Sequence, residues 1–157
     1  MTANGDAGHE VLAVVLQVRD GVLAGLLWQR GRPPYQGKWA LPGGALAATE
    51  DLGPSVRRQL AAKVDVRELS HLEQLDTRGA VDRHPDRRVI ATAYLGLVPA
   101  DADPSLPDDT EWHPVAALPE LAYDHAAIVQ AGWDRLRSKL SYTNLGFALG
   151  PPEFTIS

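Results

Sequence analysis

The chain has 157 residues, 45% of them hydrophobic and 22% charged, enough apolar surface for one folded domain and too much for a chain dominated by disorder. Its 15 Lys+Arg face 20 Asp+Glu, a net charge of −5, so it lacks the positive excess that non-specific nucleic-acid binding requires. Cysteine is absent, which excludes disulfide scaffolds, Cys-based zinc sites, thiol nucleophiles and iron–sulfur clusters and is in keeping with a cytoplasmic protein.

Residues 1–9 are small and polar and read as a flexible tail without the basic and apolar regions of a secretory signal. Residues 10–18 (EVLAVVLQV) and 22–30 (VLAGLLWQR) read as two strands joined by Arg19-Asp20-Gly21, a tight-hairpin signal. Two prolines and two glycines make 31–37 a loop. Residues 38–41 form a short extended piece, which Pro42-Gly43-Gly44 ends. Over 51–64, Leu52, Val56, Leu60 and Val64 recur every four residues, one face of a helix, with Pro54 harmless in its first turn. Residues 66–77 and 87–98 read as strands around a polar loop at 78–86. A Pro- and Asp-rich loop at 99–109 precedes a short strand at 111–114. The last helix starts near Asp124, a suitable N-cap, and runs to Leu140. Residues 141–157 have no clear period and read as a linker; the chain then stops in an apolar, strand-like run, as a truncated piece of a longer protein would. No apolar run approaches the ~18 residues a membrane span needs. This order of elements predicts an α/β (α+β) domain over 10–140, a mixed sheet sandwiched between helices rather than a βαβ repeat.

One stretch carries chemistry: residues 39–66, WALPGGALAATEDLGPSVRRQLAAKVDV. It resembles the Nudix family, whose box reads G-x5-E-x7-R-E-U-x-E-E-x-G-U with U bulky and apolar. Gly44, Glu50, Arg58, Leu60 and Val66 match that spacing. The resemblance implies the Nudix fold. It also implies that three helical glutamates hold divalent cations against a diphosphate, hard-ion chemistry that requires carboxylate oxygens. Here those positions are Gln59, Ala62 and Lys63, and the following family glycine is Asp65. A positive charge ~4 Å from a divalent ion costs roughly 2 kcal/mol in water and more at lower dielectric. The box therefore reads as degenerate: no metal and no catalytic residue is expected, Gly44, Glu50 and Arg58 remaining as residual matches. Diphosphate binding without a metal stays physically reasonable. Lys63 supplies a point charge, the Gly43-Gly44 backbone allows close approach, and Arg30, Lys38, Arg78 and Arg87 or Arg88 sit at strand ends or loop edges. Trp39 or Tyr35 can stack on a base.

Outside the box, residues 26–44, 71–99, 122–129 and 135–157 are similar to the sensor half of Nudix-related transcriptional regulators of NAD metabolism, the NrtR type. That resemblance implies ADP-ribose or a related molecule as effector, a homodimer, and DNA contact only through a C-terminal winged-helix domain absent from this chain. Plainer readings stand beside these. Arg58 ties the box helix to its surroundings, Lys63 is a solvated helix residue, and Trp28 and Trp133 are core or dimer contacts. His125 is a packing or capping residue, and His71, His84 and His113 lack metal-ligand spacing. Asp108, Asp109 and Glu111 form a surface cluster, with a residual general-base role for Glu111 or Glu120 as the alternative. Three functions remain open: a ligand sensor that does not hydrolyse efficiently and needs no cofactor, a Nudix hydrolase with an altered Mg²⁺ or Mn²⁺ site, and an interaction module whose pocket is a relic.

Overall fold

The computed structural model describes residues 7–140. The expected tail therefore lies outside the described residues up to position 6, and the expected linker at 141–157 lies outside them entirely. Strand β1 spans Gly8–Arg19, two residues longer at its start than the sequence pattern suggests, because Gly8 and His9 are already in register with Val89 and Ile90. The remaining strands are β2 (Val22–Gln29), β3 (Trp39–Ala40), β4 (Gly43–Ala45), β5 (His71–Arg78), β6 (Val89–Leu97) and β7 (Thr110–Pro114). Helices α1 (Leu52–Val64) and α2 (His125–Leu140) complete the domain. The strands form one mixed sheet in the order β3-β2-β1-β6-β5, with β4 paired to β1 and β7 to β2. β1 and β6 run parallel and the other pairs antiparallel.

β1 lies at the centre, and its period of two divides the core. Val11, Ala13 and Val15 pack with Val56, Leu60 and Val64 of α1. Leu12, Val14, Leu16 and Val18 pack with Ile128, Val129 and Leu136 of α2. A strand covered on both faces needs a continuous apolar run, which 10–18 supplies. This is the α+β sandwich that the order of elements predicts. Leu60 and Leu136 are fully buried, and truncating either to Ala costs about 2–5 kcal/mol. Gly132 lets α2 lie directly on β1, since a Cβ there would come within 2.9 Å of Val14 Cγ1. Among the described residues no helix is long and apolar enough to cross a membrane.

Local chemistry sets the ends of the elements. Asp20 and Gly21 adopt φ 53° and 76°, the left-handed pair a two-residue hairpin turn demands. Asp51 caps α1, its carboxylate accepting from Leu52 N–H at 2.7 Å. At the other end Asp65 takes φ 58°, where the family places glycine. Its carboxylate accepts from Ser105 N–H at 2.7 Å, and Val66 N–H closes the wrap on Leu60 O at 3.0 Å. That wrap occupies Val66 and delays the next strand to His71, five residues later than the expected start at 66. The Pro42-Gly43-Gly44 segment also departs from expectation: it continues as β4, Gly43 and Gly44 pairing with Leu12 and Val11. Asp124 precedes α2 as expected and accepts Ile128 N–H on its carbonyl at 3.2 Å, but its carboxylate is turned to Arg83.

Candidate functional site

The box segment folds against β1 through two glycines. Gly43 has φ 148°, and a Cβ there would lie 2.0 Å from Val11 O, so only glycine admits this backbone contact. Gly44 faces α1, where a Cβ would stand 2.1 Å from Gln59 Oε1 and 2.4 Å from Lys63 Nζ. Gln59 is 2% exposed; its amide donates to Ala45 O at 3.0 Å and to Ser55 Oγ at 3.4 Å. It is a neutral tie between α1 and β4. Lys63 reaches across the same strand and donates to Gly43 O at 2.7 Å. Burial, and secondarily the Arg58 charge, lowers the pKa of its ammonium below the ordinary lysine value.

Arg58 grips Glu50 with two hydrogen bonds, Nε to Oε2 at 2.6 Å and Nη2 to Oε1 at 2.9 Å. The Arg58 hydrogen bond holds the Glu50 carboxyl below its usual range. The pair ties the start of the box to α1, the structural role open to Arg58. A divalent ion at this place would require several hard anionic oxygens. Asp51 and Asp65 spend their carboxylates on the two ends of α1, which leaves the box with one carboxylate already held by a guanidinium, a buried amide with its N–H bonds made, a methyl at Ala62, and an ammonium. No cluster of three or more His, Asp or Glu able to hold a metal occurs among the described residues. This donor set does not fit Mg²⁺ or Mn²⁺.

Beside the glycines opens a cleft of about 600 Å³. Of the residues expected to bind ligand, Arg30, Gly43, Gly44, Lys63 and Arg87 line it together. Lys38, Trp39 and Arg78 stand elsewhere. Lys38 forms an ion pair with Glu120. Trp39 packs its edge on His113, ring centres 4.6 Å apart, and joins the core beneath α2. Arg78 pairs with Asp76 at 2.9 Å on β5. The cleft also takes in Arg32, Glu10 and Asp86, so four basic groups face two carboxylates in a protein of net charge −5. Such a local reversal of sign draws anions. A second, mostly apolar cavity of about 340 Å³ lies alongside, sharing Trp28, Gly43 and Lys63 and adding Val64, Pro107 and Asp109. Trp28, expected in the core or at a dimer contact, forms the wall common to both, its indole N–H donating to Leu41 O at 3.0 Å.

The far wall was not legible in the sequence. Arg83, inside the polar loop, is 7% exposed and clamps Asp124 at 2.7 and 2.9 Å and Glu10 at 3.1 Å. Burial works against its charge, but the bonds to the two carboxylates outweigh that and raise its pKa; Asp124 is lowered in turn. Arg83 thus fastens the loop at 79–88 to β1 and to the start of α2. Tyr123, with φ 51°, places its ring among Tyr35, His84, His125 and the Arg30 guanidinium. Loop arginines and aromatics carry no period, so only their partners reveal them.

The chain matches the NUDIX domain model over residues 8–132. It is 31% identical over 150 residues to the ADPR-responsive transcriptional repressor NtrR of Acinetobacter baylyi, covering 91% of this chain and 60% of that protein. The NUDIX domain of Shewanella oneidensis NrtR, solved with ADP ribose, superposes with a TM-score of 0.75 at 30% identity, covering 83% of this chain and 89% of that one. Shewanella oneidensis NrtR bound to a 27mer DNA gives a TM-score of 0.71 at 31% identity, over 83% of this chain and 62% of that one. A MutT/nudix protein of Enterococcus faecalis shares the fold, with a TM-score of 0.81 at 23% identity over 96% of this chain and 70% of that one. Fold, box and relatives agree: the chain belongs to the Nudix family and is similar to the Nudix domain of NrtR-type regulators.

Proposed function

We propose that this chain is the effector-sensing domain of a cytoplasmic transcriptional regulator of NAD metabolism, binding ADP-ribose or a related nucleoside diphosphate without hydrolysing it efficiently. The observation that carries this reading is Lys63: its ammonium lies on Gly43 O in the cleft, at a position where the family box has a glutamate. One ammonium ~4 Å from a phosphate charge contributes about 1 kcal/mol in water and about 4 kcal/mol at an effective dielectric of 20. It attracts the diphosphate and repels the cation that would activate it. Arg30, Arg32 and Arg87 extend the same field. DNA, in this reading, is gripped by a C-terminal winged-helix domain outside this chain, and the sensor works as a homodimer. An acidic domain alone is a poor binder of DNA.

Calorimetry with ADP-ribose, with and without Mg²⁺, tests the proposal. Saturable heat unaffected by the metal is expected, and its absence overturns the sensor. The Glu50–Arg58 pair, still bidentate, favours a second reading as a hydrolase with an altered site. Incubating nucleoside diphosphate compounds with Mg²⁺ or Mn²⁺ separates the two, because turnover at ~1 s⁻¹ or faster belongs to an enzyme.

A further inference from the structure

We propose that His125 contacts the ligand: the Nε2–H of its imidazole donates a hydrogen bond to a phosphate oxygen of the molecule seated in the cleft. This rests on the nucleoside-diphosphate reading above and adds a binding residue that the box does not contain. His125 is 3% exposed and lines the cleft. Its Nδ1 accepts Leu41 N–H at 3.0 Å, so in the neutral ring the proton sits on Nε2, a tautomer assigned from the hydrogen bonding. That buried Nε2 has no partner among the described residues. Buried polar groups are nearly always paired, and an unpaired donor on a side chain that lines the cleft, itself covered, calls for an acceptor once the cleft is filled.

The surroundings select the acceptor. The charged groups facing the ring are Asp124 from the start of α2, Arg83 from the 79–88 loop and Arg30 from the end of β2. Arg83 already holds both Asp124 and Glu10, so among these charges Arg30, whose Nε donates to Pro34 O, is the one with no carboxylate partner among the described residues, and it favours an anionic oxygen. Tyr123 orients both donors: its ring centre is 5.4 Å from that of His125 and 5.3 Å from the Arg30 guanidinium. Its left-handed backbone, φ 51°, is the kind of strained conformation found at ligand clamps. Burial pushes the imidazole down to about 4, so the donor is neutral at physiological pH and binding does not depend on histidine protonation.

The test pairs imidazole ¹⁵N NMR with calorimetry. The His125 Nε2 resonance should shift on adding ADP-ribose or ribose 5-phosphate and stay put with adenosine. His125→Asn keeps an acceptor for Leu41 N–H and removes the cleft donor; it should weaken ADP-ribose binding roughly tenfold, the worth of a hydrogen bond to a charged group. His125→Gln, whose amide reaches the Nε2 position, should recover part of that loss. A silent resonance with ADP-ribose bound, or unchanged affinity in His125→Asn, assigns His125 to packing and overturns the inference while the sensor reading stands. If the parent gives no heat with ADP-ribose yet Nε2 shifts with ribose 5-phosphate, the sensor reading fails and the phosphate contact survives. Silence with every probe removes both, and a shift with adenosine alone overturns the phosphate assignment. The NMR arm decides the matter by itself should the variants not fold.

Discussion

Gly44→Ala isolates how tightly the box is built. The backbone at Gly44 does not lie at positive φ, so alanine brings no conformational strain, only a methyl group. That methyl would stand 2.1 Å from Gln59 Oε1 and 3.1 Å from Gln59 Cδ. Gln59, 2% exposed, has no solvent to swing into. Displacing it breaks the bond to Ala45 O and leaves a buried amide unpaired, about 1–3 kcal/mol, with crowding adding about 1–3 kcal/mol. The Lys63 ammonium, also in the way at 2.4 Å, is the end of a flexible chain and moves cheaply, but it leaves Gly43 O. The expected loss is about 2–6 kcal/mol in urea unfolding at unchanged slope, with weaker ADP-ribose binding in whatever remains folded. Shortening Gln59 makes room, so Gly44→Ala combined with Gln59→Ala should cost less than the two single changes together by more than ~1 kcal/mol. A single-variant cost below about 0.5 kcal/mol, or strict additivity in the pair, refutes the steric account.

Gly43→Ala should be worse than Gly44→Ala in the same assay, because its methyl meets Val11 O, a backbone atom that cannot step aside. Arg83→Ala strands two partly buried carboxylates, and urea unfolding should show a loss of about 3–5 kcal/mol. The pKa of Asp124 lies below its value of 3.8 in the unfolded chain, so its contribution is present above that pH and vanishes as pH falls through the folded value; parent and variant should converge in acid. His125 titrates near 6.5 unfolded and about 4 folded, so the unfolded chain binds the extra proton between those limits. Stability is therefore full above pH 6.5 and falls by up to about 3 kcal/mol toward pH 4, a slope that thermal melts of His125→Asn should lack. Ala62→Glu with Lys63→Glu restores two anions to the box, and Mn²⁺ should then raise the melting temperature of the variant and leave the parent unmoved.

Where one side chain's period or one turn's chemistry decides, the sequence was enough. The apolar run at 10–18, the Asp20-Gly21 hairpin and the fourfold spacing on α1 each point to a single local structure. Box spacing brings Gly44 and Lys63 to facing positions, whereas Arg30, outside the box, reads only as a strand-end cation; the structure lines one cleft with all three. Long-range pairing was not. Nothing local in Pro42-Gly43-Gly44 states that β1 waits to pair with it, and nothing in 79–88 says that Arg83 is buried while Arg78 remains on β5. Lys38 and Trp39 lie close to the glycines along the chain, yet their side chains meet Glu120 and His113, partners that no local pattern announces.

The bare α-carbon of Gly132 brings α2 down onto Val14 about midway between its ends, His125 and Leu140. A 16-residue helix is about 24 Å long, and Ile128, Val129 and Leu136 hold it to the sheet on both sides of that contact. A side chain at position 132 would therefore lift the whole rod and open gaps under both of its halves, loosening the seat of the imidazole at one tip and of the Arg135 bridge to Glu73 toward the other.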